Sequence, residues 1–214
     1  MNDYEKMVSG KFYNPEGESI VKIHEKGLCL QQQINLLPMK KVKKRQALMR
    51  KLIPNSDGDI AFFPPFHCEY GCNIKVGKNL FMNFDCVILD VAKVEIGDNV
   101  MLGSRVMLAT PVHPLVAQER RIQNYPDGYH DIEYAKPITI GNDVWIASNV
   151  TVCGGVKIGD GSVIGAGSVV TKDIPSGVFA AGVPCKVIRE ITDADKMDPW
   201  DSYNKNIEPK RKGQ

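Results

Sequence analysis

The residue of this 214-residue chain best placed to do chemistry is His113, in the stretch "ATPVHPL" from Ala109 to Leu115. An imidazole can take a proton from a weak oxygen nucleophile near neutral pH, which few other side chains do unaided. His113 stands where a run of short repeats breaks off and a polar stretch begins, so a rigid array could hold the base and a loop could cover it. The sequence has no Gly-x-Ser-x-Gly elbow, no Gly-rich phosphate loop ending in Lys-Ser or Lys-Thr, and no His pair at metal spacing. On the residues alone, His113 is either a base in a cleft or a cap on a repeat.

The repeats are what must position it. From Ile140 the chain reads "IGNDVW IASNVT VCGGVK IGDGSV IGAGSV VTKDIP", with Ile140, Ile146, Val152, Ile158, Ile164 and Val170 opening the hexads. Small or β-branched residues fill the fifth places. A period of six fits neither an α-helix nor a simply alternating strand. It fits a three-sided coil in which each short strand ends in a turn of Gly, Asn or Asp, and stacked coils bury a column of aliphatic side chains. The same register runs through "VGKNLF MNFDCV ILDVAK", slips by Val94 and Glu95, and resumes as "IGDNVM LGSRVM LATPVH", so the first array ends at His113. Residues 114–136 lose the pattern and read as a long, irregular loop, a feature that is usually functional inside a compact domain.

Upstream, Ile20, Ile23, Leu28 and Leu30 suggest one helix, weakened by Gly27, and a second opens at Pro38 and runs through Leu52. The basic run "KKVKKR", Lys40 to Arg45, reads as a solvated helix face, because no aromatic residues interleave its charges. The sequence therefore divides into an N-terminal helical segment (1–57), a coil domain (58–190) with its loop (114–136), and a loose basic C-terminal tail (191–214).

Composition is compatible with one core and excludes little else. The chain is 43% hydrophobic with a formal net charge of +2, too small a field to announce nucleic acid or an acidic membrane. No apolar leader or spanning run is present, so a soluble cytoplasmic protein is expected. Six scattered cysteines read as reduced packing thiols.

The run "NFDCVILD", the His113-Pro114 pair, "PITIGNDVWIASNV" and the closing "GAGSVVTKDIPSGVFAAGVPCKVIREI" resemble the hexapeptide-repeat sugar O-acetyltransferases of the maltose and galactoside type, and "GKFYNP" is similar to their N-terminal helical segment. The resemblance implies a mainly β protein built on a left-handed parallel β-helix. It further implies a homotrimer with active sites between subunits, transferring acetyl from acetyl-coenzyme A to a sugar hydroxyl without a metal. On that basis His113 is the general base, Asn83 contacts the acceptor, and the Ser148 backbone N–H helps hold the thioester oxygen. Ala166, Thr171, Lys172, Lys186 and Arg189 receive coenzyme A, with Lys186 standing where galactoside-type members have arginine. Trp145 either lines this groove or packs at the trimer contact. Pro15 and Val91 replace two sugar-holding aspartates, and Glu69 and Glu133 replace a serine and a methionine. Carboxylates suit sugar diols, so Glu69 and Glu133 are acceptor candidates and the acceptor need not be a galactoside. Asp85 and Asp90 are read as turn residues first.

Three other readings compete. A non-catalytic repeat scaffold would bind no coenzyme A, and a xenobiotic O-acetyltransferase would differ only in its acceptor pocket. A metal-dependent hydratase on the same coil needs three converging histidines, whereas His24, His67 and His130 are expected outside the regular coils.

Overall fold

The computed structural model describes residues 1–197 and 199–205. The hexads fold as a left-handed parallel β-helix whose three faces are parallel ladders. The first face carries Asn55–Ser56, Ile74–Val76, Val94–Ile96, Ile138–Ile140 and Lys157–Ile158. The second carries Ala61–Phe62, Phe81–Met82, Met101–Leu102, Trp145–Ile146, Val163–Ile164 and Val178–Ala181, closed by the antiparallel strand Lys186–Glu190. The third carries Phe66–Cys68, Cys86–Leu89, Met107–Ala109, Thr151–Cys153 and Val169–Val170. His67 therefore lies within the coil on the third face, not outside it as expected, because Phe66 and Cys68 point inward on either side of it.

Each place in the hexad has its own physical task. First-place residues such as Ile140, Ile146 and Val152, and fifth-place residues such as Val144 and Val150, are at most 2% exposed and form the central column. The fourth place turns the corner in the left-handed region: Asn79, Asp85, Asn99, Arg105, Asp143 and Asn149 all have φ between 57° and 61°. Asn and Asp tolerate that backbone best among residues with a Cβ, and Gly155, Gly161 and Gly167 take it in later hexads. Second-place glycines lie against the next rung; a Cβ on Gly103 would stand 2.6 Å from the Ser148 backbone nitrogen. The slip at Val94 and Glu95 belongs to the coil, since Val94 pairs in register with Ile74 and Ile138 and all three are fully buried.

The N-terminal segment covers the open first rung. Helix α1 is Asp3–Val8, α2 is Glu18–Asn35 and α3 is Val42–Leu52. On α2, Asn35 exchanges two hydrogen bonds with the backbone of Phe66 at 2.8 and 3.0 Å, and Gln31 Oε1 accepts from Cys68 N at 2.9 Å. Side-chain amides thus satisfy the strand edge that the coil leaves unpaired. Helix α1 was not foreseen: six residues are too few to show a period, though Asn2 and Glu5 form a complete capping box. The second foreseen helix begins at Val42 rather than Pro38, and Gly27 is buried in α2 against the Tyr70 backbone. The "GKFYNP" stretch is not helical; it lies between α1 and α2, and Tyr13 bridges to Glu133.

The basic run is not uniformly solvated either. Arg45 is 5% exposed and donates to the carbonyls of Leu37, Pro38 and Met39, which tie the α2–α3 turn together. The six cysteines are free thiols, three of them buried, but Cys29 is exposed and is not a packing thiol. At the C-terminal end, Asp193–Asp195 forms one helical turn and Pro199–Lys205 a short helix, while 206–214 of the foreseen tail lie outside the described residues.

Candidate active site

The third-face strand Met107–Ala109 ends at Ala109, and the chain leaves the coil earlier than the hexad pattern suggests. Pro111–Val112 pairs antiparallel with Tyr134–Ala135, so the excursion is zipped at its base and His113 sits just past the zip. The excursion is also not irregular: Gln123–Tyr125 and Gly128–His130 form a hairpin through Pro126 and Asp127. The "PDG" turn residues carried that signal, with Gly128 at φ 146°, but the surrounding polarity masked it. At the hairpin, Asp127 Oδ1 lies 3.0 Å from His130 Nε2.

The zip returns the chain so that Asp131 and Glu133 lie beside His113; the ligand atoms of the three fall within 4.8 Å of one another. Glu133 Oε1 is 3.7 Å from His113 Nε2, with side-chain exposures of 22% and 47%. That gap is too long for a direct hydrogen bond, and it leaves both atoms free to meet hydroxyls of a bound molecule. Glu133's other oxygen, Oε2, accepts from the Tyr13 hydroxyl at 2.8 Å. Burial first, then the hydrogen bond and charge of Glu133, push Tyr13 far above the ordinary phenol range, so it remains a donor.

Glu69 stands nearby on the turn after Phe66–Cys68, with Oε2 2.8 Å from His24 Nε2 on α2. Tyr70, whose ring lies 5.3 Å from that of His24, feels the charges of both Glu69 and Glu133, which puts the two carboxylates in one neighbourhood. Asp90 is more than a turn residue. It is fully buried, and its carboxylate accepts from the backbone N–H groups of Glu69, Tyr70 and Asn73 at 2.9 to 3.2 Å, fixing the turn that carries Glu69. Burial pushes its pKa up to about 6, against the opposing pull of those backbone hydrogen bonds. Asp85 is a corner residue at φ 61°, as foreseen.

The remaining foreseen residues lie elsewhere in the same chain. Asn83, Ser148 and Ala166 line a groove of about 610 Å³ with Phe81, Met101, Trp145 and Phe179. They occupy the corner after the second face, whereas His113 follows the third face, a third of a turn around the coil. Thr171 and Lys172 follow the third face in a later rung and are exposed. Lys186 and Arg189 lie on the closing strand, but Arg189 is engaged: it donates to both Asp195 oxygens at 2.7 Å, with its guanidinium 6.0 Å from the Phe179 ring centre. Trp145 lines the groove and is 47% exposed.

Tyr13, Tyr70 and Asp131 escaped the sequence reading, and His24 entered it only among the histidines weighed for a metal. Tyr13 lies 120 residues from Glu133, and no local pattern announces such a pairing. Among the described residues, no helix is long and apolar enough to cross a membrane.

Comparison with known proteins bears on the family and the fold. The model for the bacterial transferase hexapeptide (six repeats) matches residues 137–172, and that for the maltose acetyltransferase hexapeptide capping motif matches residues 6–57. A galactoside O-acetyltransferase of Escherichia coli is 41% identical over 199 residues, covering 93% of this chain and 94% of its own length. A maltose O-acetyltransferase structure from Clostridium difficile superposes with a TM-score of 0.83 at 45% identity, covering 90% of this chain and 98% of that one. A galactoside acetyltransferase solved in complex with coenzyme A gives 0.80 at 40% identity, covering 91% and 94%.

Proposed function

The chain belongs to the hexapeptide-repeat acetyltransferases of the maltose and galactoside type, and from that premise we propose that it transfers acetyl from acetyl-coenzyme A to a hydroxyl of a sugar, with His113 as general base. The observation that carries the mechanism is the half-exposed His113 imidazole at the end of a rigid ladder, with one oxygen of Glu133 turned toward it. The acceptor hydroxyl gives its proton to the imidazole as its oxygen attacks the thioester carbon. The tetrahedral intermediate collapses, and the imidazolium returns the proton to the departing thiolate. General-base help of this kind contributes roughly 10²- to 10⁴-fold, and alignment of two bound substrates supplies much of the rest. Glu133 and Glu69 accept further hydroxyls of the same sugar, which a carboxylate does well.

Two faces of the coil favour assembly into a homotrimer. The outward column Phe81, Met101, Trp145, Val163 and Phe179 on the second face is apolar and in register, and the third face presents the mixed column His67, Val87, Met107, Thr151 and Val169. The first face presents Lys75, Glu95, Thr139 and Lys157 instead. In the proposed trimer the Asn83 and Ser148 groove of one copy meets the His113 corner of the next, completing a site that one chain splits between corners. In that arrangement Asn83 contacts the acceptor and the Ser148 N–H meets the developing oxyanion; among the described residues it donates to no backbone carbonyl. Coenzyme A lies along Ala166, Thr171 and Lys172, and Lys186 and Arg189 face its phosphates, Arg189 by exchanging Asp195 for phosphate. The domain division at 57 and 190, and a cytoplasmic location, belong to the same reading.

The test is thiol release from acetyl-coenzyme A with maltose and a methyl galactoside as acceptors. Acceptor-dependent release supports the proposal, and no release together with no coenzyme A binding by calorimetry would replace it with the scaffold.

A further inference from the structure

Tyr13 is a residue through which the N-terminal segment reaches Glu133. It is 2% exposed, and its backbone bridges Glu133 in both directions, N to O at 3.1 Å and O to N at 3.4 Å. Its hydroxyl takes one oxygen of the Glu133 carboxylate at 2.8 Å, and that leaves Oε1 as the oxygen that faces His113. A carboxylate on a two-methylene tether otherwise samples several rotamers, so a donor on one oxygen selects which lone pairs the substrate meets.

We propose that Tyr13 is the positioning residue that sets Glu133 to receive a second hydroxyl of the acceptor beside the one His113 deprotonates. The proposal rests on the acetyltransferase reading above and goes beyond it in assigning Tyr13 a part in acceptor recognition. The geometry makes the cap a part of the pocket wall: Tyr13 reaches Glu133 from between α1 and α2, while His24 of α2 holds Glu69. Other titratable groups facing Glu133 are His113, Asp131 and Tyr70, with Glu69 beyond Tyr70. None of these donates to Oε2 of Glu133; Tyr13 does.

Tyr13→Phe is the direct test, because the ring keeps its packing with Met7, Ile20, Val91 and Ala135 while the hydroxyl is lost. The expected result is a fall of about 10- to 100-fold in kcat/KM for the sugar, the scale of a hydrogen bond to a charged group, with KM for acetyl-coenzyme A unchanged. Glu133→Gln loses a similar factor, and the double variant loses little more than the worse single one, because the two side chains act as a unit. A merely structural role would raise both KM values and multiply with Glu133→Gln. Should Tyr13→Phe fail to fold, Glu133→Asp serves: charge retained but withdrawn from its position should cost as much as Glu133→Gln. An active wild type with Tyr13→Phe within twofold of it, or Glu133→Asp fully active, would overturn this proposal alone. A wild type inert toward every sugar would remove the acetyltransferase reading and this proposal with it.

Discussion

A Cβ built on Gly27 of helix α2 would stand 2.8 Å from the carbonyl oxygen of Tyr70, so the glycine marks a close approach of the cap helix to the coil. Helix propensity alone favours alanine there by roughly 1 kcal/mol. The clash is with backbone, which cannot swing aside as a flexible side chain would, and it wins. Gly27→Ala should therefore destabilise the protein by about 1–3 kcal/mol, on the scale of overpacking, and lower Tm by several degrees in calorimetry. A Tm equal to or above that of the wild type would show that the helix lifts away without cost.

The fourth hexad place gives a prediction about backbone alone. Arg105 holds φ 60° with no short polar side chain to ease it, whereas Gly161 holds φ 64° with nothing within 4 Å of a built Cβ. Arg105→Gly should stabilise and Gly161→Ala destabilise, each by about 1 kcal/mol, with Gly161→Asn falling between. Chemical denaturation of the three variants checks this, and a change of the wrong sign at either site contradicts the corner assignment.

Asp90 couples stability to pH in a stated direction. Its folded pKa is raised to about 6 by burial, so its contribution is present below the ordinary carboxylate pKa of about 3.9 and is lost as pH rises through 6. Against Asp90→Asn, the wild type should lose stability on the order of 2 kcal/mol between pH 4 and pH 7, over and above the pH dependence that the two proteins share. Parallel stability curves across that window would mean that the three backbone donors hold the carboxylate ionised throughout.

Assembly has its own test. Trp145 and Met101 pair in register on the apolar second face, and both are about half exposed in the single chain. Trp145→Glu should convert a trimer into smaller species in sedimentation, with activity falling in step because each site draws on two copies. A variant that stays trimeric would move the interface to another face.

The coil was legible because its signal is local and repeated: Ile140 and Val144 recur in kind every six residues, and each is buried as its place requires. The division of labour between second-place and fourth-place residues was not, since glycine serves both, at Gly103 for close stacking and at Gly161 for a left-handed corner. Helix α1 is too short to show a period, and the hairpin at Asp127 and Gly128 was hidden by the polar residues around it. In the site, His113 could be picked out by where the array ends. Tyr13 and His24 could not, because their partners Glu133 and Glu69 lie 120 and 45 residues away, and such pairings exist only once the chain is folded. Arg45 shows the converse error: a run of cations reads as solvated, yet one of them is buried under three carbonyls.

The central claim, that His113 is the base of an acetyl transfer, is tested most directly by measuring thiol release from acetyl-coenzyme A with maltose and a methyl galactoside, wild type beside His113→Ala. Acceptor-dependent release that falls by roughly 10²-fold or more in a variant that folds and assembles normally is the predicted result. Turnover unchanged by the substitution would contradict it.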